Sequence, residues 1–324
     1  MVYLYLFNYL WHYTFKGKWQ IVTYFCLHIL SQVSIAFQPI LLAELFNVLQ
    51  INPANLIWQV LKWIFAYLAT FTVFELFHRT ARYFERRIAF NCQENFTLRL
   101  YDLVSHFPLE WQTDHHSGSI INRIKTASIA LHNFAESQFV YIEYFVMFIG
   151  PLIALYLIGK EFLFILIIIS FLTLLLCLYI DRCLVLLVRQ KNDQFHYFFS
   201  GLFDYLSNIK TIITLKLQKN TSSDLRKRYF PLYHIINKIL GQNQRKCFLL
   251  SAIVTVVPLG LIVLYIIQTF NSGQLIKIGT VSAIFQYSAK LTDTLFKMAT
   301  QYTDLVKMKT DYDSVSGILN IIKI

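Results

Sequence analysis

Residues 162–180 read FLFILIIISFLTLLLCLYI, a run without a single charged side chain. A helix needs ~20 apolar residues to cross the ~30 Å hydrocarbon core of a bilayer, so this stretch predicts a membrane-spanning helix. The whole chain agrees, since 56% of its 324 residues are hydrophobic and only 15% are charged, whereas about a quarter are charged in soluble domains. We therefore expect the lipid bilayer to be the main surroundings of this protein.

Five further segments read the same way, which predicts an all-α membrane protein with six transmembrane helices. The last segment is the least apolar, because it carries Lys290, Asp293 and Lys297. The predicted spans cover about residues 19–49, 56–78, 140–158, 162–180, 247–270 and 278–300.

The connections between these spans are unequal. Short loops at about residues 50–55, 159–161 and 271–277 lie on one side, whereas the long connections 79–139 and 181–246 hold most of the Lys and Arg. The positive-inside rule places the long connections and both termini in the cytoplasm. The same rule explains the net charge of +11 better than a nucleic-acid partner does, so we expect none.

The long connections keep helical periodicity, which predicts that the membrane helices continue into the cytoplasm. Breakers gather near residues 108–118 and 200–208, where the chain is expected to reverse. One predicted buried helical face consists of Phe195, Phe198, Phe199, Leu202, Leu206 and Ile209. Residues 1–18 are aromatic and end in Lys16 and Lys18, which predicts a helix lying in the membrane interface rather than a cleaved signal.

Several short strings, in this order and spacing, resemble the transmembrane domain of ATP-binding cassette (ABC) exporters of the type I exporter fold. They are Leu98-Arg99, Phe107-Pro108, Trp111, Gly118, Asn122-Arg123-Ile124, Asp204, Leu206, Ile209-Lys210-Thr211-Ile212, Gly273-Gln274-Leu275, Gly279 to Ala283, Tyr287, Leu291, Leu295 and Tyr302. The chain departs from the family pattern at Ala127, Asn208, Ile213 and Thr294.

The resemblance implies long cytoplasmic extensions and two coupling helices that dock on a nucleotide-binding domain. It assigns residues 19–310 to the six-helix domain and residues 311–324 to a C-terminal helix end or linker. It also implies a second transmembrane subunit, identical or related. The partner-coupling residues would be Glu110, Trp111, Asp114, Gly118, Arg123, Leu202, Phe203, Asp204 and Asn208; the alternative is that these are solvated turns.

The chain contains no glycine-rich P-loop of the form GxxxxGK[ST], which an ATPase needs to hold phosphates. We expect no enzymatic activity and no cofactor on this chain, with ATP and Mg bound by a partner nucleotide-binding domain. Neither catalytic side chains nor metal ligands have motif spacing; Asp114, His115 and His116 lack a third ligand to complete a metal site.

Polar residues inside predicted spans are costly and point to function or to mutual pairing. Lys290 and Asp293 are three residues apart and could neutralise each other, or could face a substrate. The candidates for a transport pathway are Glu44, Glu143, Gln286, Tyr287, Lys290, Asp293 and Gln301.

These expectations describe a multi-pass permease subunit in a bacterial inner membrane, exporting a lipid, a peptide or a hydrophobic drug. The alternative is a membrane scaffold or regulator that does not transport, or a truncated remnant of such a transporter.

Overall fold

The computed structural model describes residues 2–14, 17–108 and 117–316, excluding the side chains of residues 117–119, 178, 181, 189, 196 and 299. These residues form ten α-helices and no strand, which confirms the prediction of an all-α protein. The helices are α1 (Val2–Tyr13), α2 (Lys18–Ala36), α3 (Gln38–Ile51), α4 (Leu56–Ser105), α5 (Ser117–Glu136), α6 (Gln138–Ile158), α7 (Lys160–Ser207), α8 (Ile209–Thr214), α9 (Gln218–Asn271) and α10 (Ile278–Asp313).

Five helical stretches in the described residues are long and apolar enough to cross a membrane. They cover residues 18–51, 56–105, 120–158, 160–207 and 218–271. Several helices can therefore span a bilayer, as expected of a multi-pass membrane protein. The predicted sixth span, 278–300, lies within α10, which does not qualify by composition because of its charged residues.

The short connections coincide with the predicted loops. Asn52 follows α3 with a left-handed φ of 51°, Gly159 alone separates α6 from α7, and Gly273 lies between α9 and α10 with a φ of 69°. The first predicted span differs, because it breaks at Phe37 into α2 and α3. Pro39 has no backbone N–H to continue the helix ladder, which explains the break.

The described parts of residues 1–166 and 257–324 form one compact unit that contains two apolar cores. The first joins α1, α2, α4, α5 and α10 around Leu10, Phe96, Phe134 and Tyr312. The second joins α3, α6, α10, the start of α7 and the end of α9 around Phe162, Ile284 and Leu291. The N-terminal helix therefore packs on the bundle through one face, and its Tyr5 hydroxyl donates a 2.8 Å hydrogen bond to Asp313 at the end of α10.

Residues 167–256 form the second unit, built from most of α7, from α8 and from the first part of α9. The predicted reversal at residues 200–208 is displaced, because α7 continues to Ser207 and the chain turns at residues 215–217, where Lys216 has a φ of 55°. Gly201 lies inside α7 instead of breaking it. A Cβ there would lie 2.6 Å from Nη1 of Arg228, so glycine permits this close approach.

The predicted buried face at the end of α7 and the start of α8 is buried only in part, because Phe195, Phe198 and Leu202 are half-buried. Phe199, Leu206 and Ile209 are exposed, with 53%, 59% and 42% of their surfaces accessible. Within the described residues of this unit, the two long helices and α8 give that face too few neighbours to bury it.

Candidate functional site: a charged cavity in the helix bundle

A cavity of about 320 Å³ lies among α2, α4, α6 and α10 in the first unit. The predicted pathway residues Glu143, Lys290 and Asp293 all line it. The remaining lining residues are Gln32, Ile35, Phe74, His78, Phe139, Met147, Thr294 and Lys297. Side chains from four of the predicted spans thus meet around one space.

Helix α10 supplies most of the charge. Lys290, Asp293, Thr294 and Lys297 follow the i, i+3, i+4, i+7 spacing of one helical face, and all four line the cavity. The expected pairing of Lys290 with Asp293 is wrong, since the Asp293 carboxylate lies 2.8 Å from Nζ of Lys297. An acid four residues before a base is the more favourable order on a helix, whereas Lys290 precedes Asp293.

Two charged groups in the cavity are left without a direct partner. Among the described residues, neither the Lys290 ammonium group nor the Glu143 carboxylate makes a side-chain hydrogen bond or an ion pair. Glu143 interacts electrostatically with Lys297 and Asp293. The end of the cavity near Glu143 therefore holds two carboxylates and one ammonium group, and Lys290 lies about one helical turn away along α10.

The buried hydroxyl groups of α10 do not add to this polarity. Ser288, Thr292 and Thr294 are buried, and each donates a hydrogen bond to a carbonyl group four residues earlier in the same helix. Because these hydroxyls are satisfied within α10, the helix can pack while carrying polar residues. The polar character of the cavity comes from its charged side chains.

A buried ionic cluster centred on Glu85 adjoins the cavity. Glu85 of α4 is fully buried. Its carboxylate lies 3.2 Å from Nε2 of His28 and 2.7 Å from Nη1 of Arg82, and accepts a 2.8 Å hydrogen bond from the backbone N–H of Phe139. The cluster therefore ties α2 and the first turn of α6 to α4.

Arg82 and Arg86 extend this cluster to the end of α5. Arg82 Nη1 donates a 2.6 Å hydrogen bond to the carbonyl oxygen of Glu136, and its guanidinium carbon lies 4.1 Å from the ring centre of Phe139. Nε of Arg86 lies 3.1 Å from the Glu136 carboxylate. Together these contacts fix the break between α5 and α6 against α4.

Two histidines connect the ionic cluster with the cavity. The rings of His28 and His78 are 5.4 Å apart, and His78 stacks on Phe74 and contacts Phe139 edge to face. Nδ1 of each histidine is buried without a hydrogen-bond partner among the described residues. His78 also lines the cavity.

The sequence pattern does not predict this ionic cluster. Glu85 falls in the long connection 79–139, which is predicted to be cytoplasmic and where a charge needs no explanation. Two signals could have found it: Arg82, Glu85 and Arg86 share one face of α4, and His28 stands alone in an apolar segment. Neither signal shows which helix supplies the partner.

The other pathway candidates lie away from the cavity. The Tyr287 hydroxyl donates a 2.9 Å hydrogen bond to the carbonyl oxygen of Ala36, and its ring lines a separate apolar groove of about 400 Å³ between α2, α3 and α6. Gln286 bonds to Ser282 in its own helix. Glu44 and Gln301 are half-buried and do not line the cavity.

The predicted coupling residues fall into two groups. Glu110, Trp111 and Asp114 lie outside the described residues, as do His115 and His116. Gly118 lies in the first turn of α5, and Arg123 is exposed on the same helix. In the second unit Phe203 is 71% exposed, Asp204 and Asn208 are exposed, and Leu202 is half-buried.

The end of the second unit around residues 202–228, here called its tip, is held together by a polar contact between α7 and α9. Tyr205 donates a 2.8 Å hydrogen bond to Asp224, and Arg228 donates a 2.7 Å bond to the same carboxylate oxygen. These bonds hold the pKa of the Asp224 carboxyl below its ordinary value. The predicted coupling residues that are exposed therefore lie at the end of the unit where α7 and α9 are joined by these hydrogen bonds.

Comparison with models of known protein families gives no match to this chain, and comparison with curated proteins gives none.

Proposed function

We propose that this chain is the membrane-spanning permease subunit of an ABC-type exporter. A nucleotide-binding domain on a partner would bind ATP and Mg, and a second transmembrane subunit would complete the pathway. The chain would lie in a bacterial inner membrane with both termini in the cytoplasm. Its mechanism would be alternating access, in which closure of the ATPase domains moves the helical extensions.

The observation that carries this proposal is the length of three helices. α4, α7 and α9 contain 50, 48 and 54 residues, and at 1.5 Å per residue each is more than ~70 Å long. The hydrocarbon core of a bilayer is ~30 Å thick, so more than half of each helix lies outside it. Basic residues concentrate in the outer parts, as expected of cytoplasmic extensions.

The charged cavity supports a pathway through the bundle. In this proposal α10 is the sixth span, although its composition is polar. It packs on α3 and α6 in the second apolar core and presents its charged face to the cavity. Charged residues inside a membrane normally face an interior or aqueous space of this kind.

The exposed apolar tip supports docking of a partner. Phe203 and Leu206 have 71% and 59% of their surfaces accessible, and they lie roughly 35–39 Å along α7 from the end of the predicted span at residue 180. Contiguous apolar surface exposed to water commonly marks a protein interface. A groove on a nucleotide-binding domain would cover it.

A membrane scaffold without transport is the second candidate. The observation that favours it is the set of departures from the family pattern, which includes Asn208 at the tip and Thr294 in the cavity. Both candidates share the fold and differ in whether an ATPase drives movement.

Capture of an ATPase subunit separates the two candidates. The purified chain is mixed with candidate isolated nucleotide-binding domains, and complexes are reconstituted in liposomes to measure ATP-dependent flux of lipid, peptide and drug probes. Phe203→Asp should abolish capture, whereas Phe230→Asp, at another exposed phenylalanine of the same unit, should retain it. Lys290→Leu should alter flux without affecting capture. Failure to capture any ATPase, together with absence of flux, would leave the scaffold.

Cysteine labelling tests the topology in a variant lacking the five native cysteines. Tyr101 and Leu275 are 70% and 88% exposed. We expect Tyr101→Cys to react with an impermeant maleimide only from the cytoplasmic side and Leu275→Cys only from the opposite side. Labelling of both from one side would refute the six-span topology.

A further inference from the structure

The charges around the cavity are divided between its two ends. Glu143 interacts electrostatically with Asp293 and Lys297, so that end carries two carboxylates for one ammonium group and is net negative. Lys290 lies three residues before Asp293, or about 4.5 Å along the helix axis, and has no ion-pair partner among the described residues. The cavity therefore has one acidic end and one basic end.

We infer that this cavity binds a small zwitterion, with its cationic group near Glu143 and its anionic group near Lys290. The inference rests on the proposed function and names the class of substrate. A cation alone would leave Lys290 unpaired, and an anion alone would leave the net negative charge around Glu143 uncompensated. A zwitterion pairs both groups at once, and unpaired charge in an apolar bundle is costly.

The aromatic and apolar lining suits a ligand with a hydrophobic side group. Phe74, Phe139 and Met147 line the cavity together with the charged residues. A dipeptide with one aromatic side chain has one charge of each sign and an apolar group, and it serves as the probe. The headgroup of a zwitterionic phospholipid has the same pair of charges, so the test includes a lipid arm.

Binding is measured on the purified full-length chain in nanodiscs by calorimetry, without ATP or an ATPase. The probes are alanyl-phenylalanine, its C-terminal amide, its N-acetyl derivative and the form blocked at both ends. Each satisfied charge-assisted contact is expected to strengthen binding about tenfold. The zwitterion should therefore bind about tenfold more tightly than either singly charged form and about 100-fold more tightly than the blocked form.

Two variants show which end of the cavity binds the carboxylate and which binds the amine. Lys290→Met should remove the preference for a free carboxylate and keep the preference for a free amine, and Glu143→Gln should do the reverse. The controls are Lys277→Met and Glu161→Gln, which change exposed charges outside the cavity and should leave all four affinities unchanged. Melting curves show whether each variant is folded. If a single variant does not fold, the charge-swapped double variant Glu143→Lys/Lys290→Glu is tested in its place. It should restore the preference for the zwitterion.

Three results would overturn the inference: equal affinity for all four probes, no binding of the zwitterion at about 10 mM, or preferences unchanged by both variants. In the lipid arm, displacement of the dipeptide by dihexanoyl phosphatidylethanolamine but not by the matching phosphatidylglycerol identifies a lipid headgroup as the source. Displacement by neither identifies a soluble molecule. Because the binding assay contains no ATPase, its result does not depend on the transporter proposal. Binding here with no flux in the reconstituted liposomes would count against the transporter proposal alone, whereas flux in the liposomes with no charge preference here would count against this inference alone.

Discussion

Removal of the Glu85 carboxylate should destabilise the first unit more than removal of any exposed acid. In Glu85→Ala, the Arg82 guanidinium, whose side chain is only 15% exposed, loses a 2.7 Å partner, and the backbone N–H of Phe139 loses its acceptor. Breaking a buried ion pair by removing one partner costs ~3–5 kcal/mol, and Arg82 retains its bonds to Glu136. We therefore expect a loss of about 3 kcal/mol in the free energy of unfolding.

Thermal unfolding in detergent, followed by tryptophan fluorescence at one scan rate, measures this effect. For a chain of this size, 1 kcal/mol corresponds to about 2 °C, so the apparent midpoint should fall by about 6 °C. Asp102→Ala is the matched control, because Asp102 lies on the same helix and forms an exposed pair with Arg99; such pairs contribute less than about 1 kcal/mol.

The double variant Glu85→Ala/Arg82→Ala separates the ion pair from other effects. It leaves no uncompensated guanidinium, so its destabilisation should be smaller than the sum of the two single changes. Equal midpoints for Glu85→Ala and Asp102→Ala would refute the assignment of Glu85 as the centre of the cluster.

Two further changes test close contacts elsewhere. Gly279→Ala should lower the free energy of unfolding by about 1–3 kcal/mol, because a Cβ there would overlap a carbonyl oxygen of α3. The control is Gly260→Ala, whose Cβ would meet no atom within 4 Å and which should be neutral or slightly stabilising. Thermal unfolding compares the two variants. Tyr205→Phe removes one of two hydrogen bonds to Asp224 and should accelerate hydrogen exchange around residues 205–228, while Tyr233→Phe, at an exposed ring, should not. Since the pKa of the Asp224 carboxyl is lowered from 3.8, the faster exchange of the variant should be seen at neutral pH and should disappear as the pH falls below 3.8. Unchanged exchange at neutral pH would show that the bond from Tyr205 does not hold the tip.

The sequence predicted where the helices lie along the chain better than it predicted which helices and side chains contact each other. Runs such as 162–180 predict helix and membrane burial from composition alone, and Gly159 and Gly273 mark loops that the structure places there. The turn at residues 215–217 was missed because it has no glycine or proline, and Lys216 adopts the left-handed conformation. A local pattern cannot reveal a turn that is stabilised by packing between two helices.

The same limit applies to the candidate site. Lys290 and Asp293 were identified because charges in an apolar segment are rare, but their spacing suggested the wrong ion pair. The correct partner, Lys297, lies closer to the predicted end of the span, where a charge attracts no attention. Glu85 was missed because its burial results from the break between α5 and α6, which brings Phe139 against α4.

The two polar clusters of the first unit differ in a way that separates structural charge from functional charge. Glu85 has three partners from three helices, and Arg82 bonds to both Glu85 and Glu136. A network in which one carboxylate joins three helices resists rearrangement, since movement of any of them would break a buried polar contact. Lys290 and Glu143, beside it, have no direct partner among the described residues. Folding alone gives no reason to keep two charges without a direct partner next to the Glu85 cluster, whereas a ligand that pairs with both would provide one.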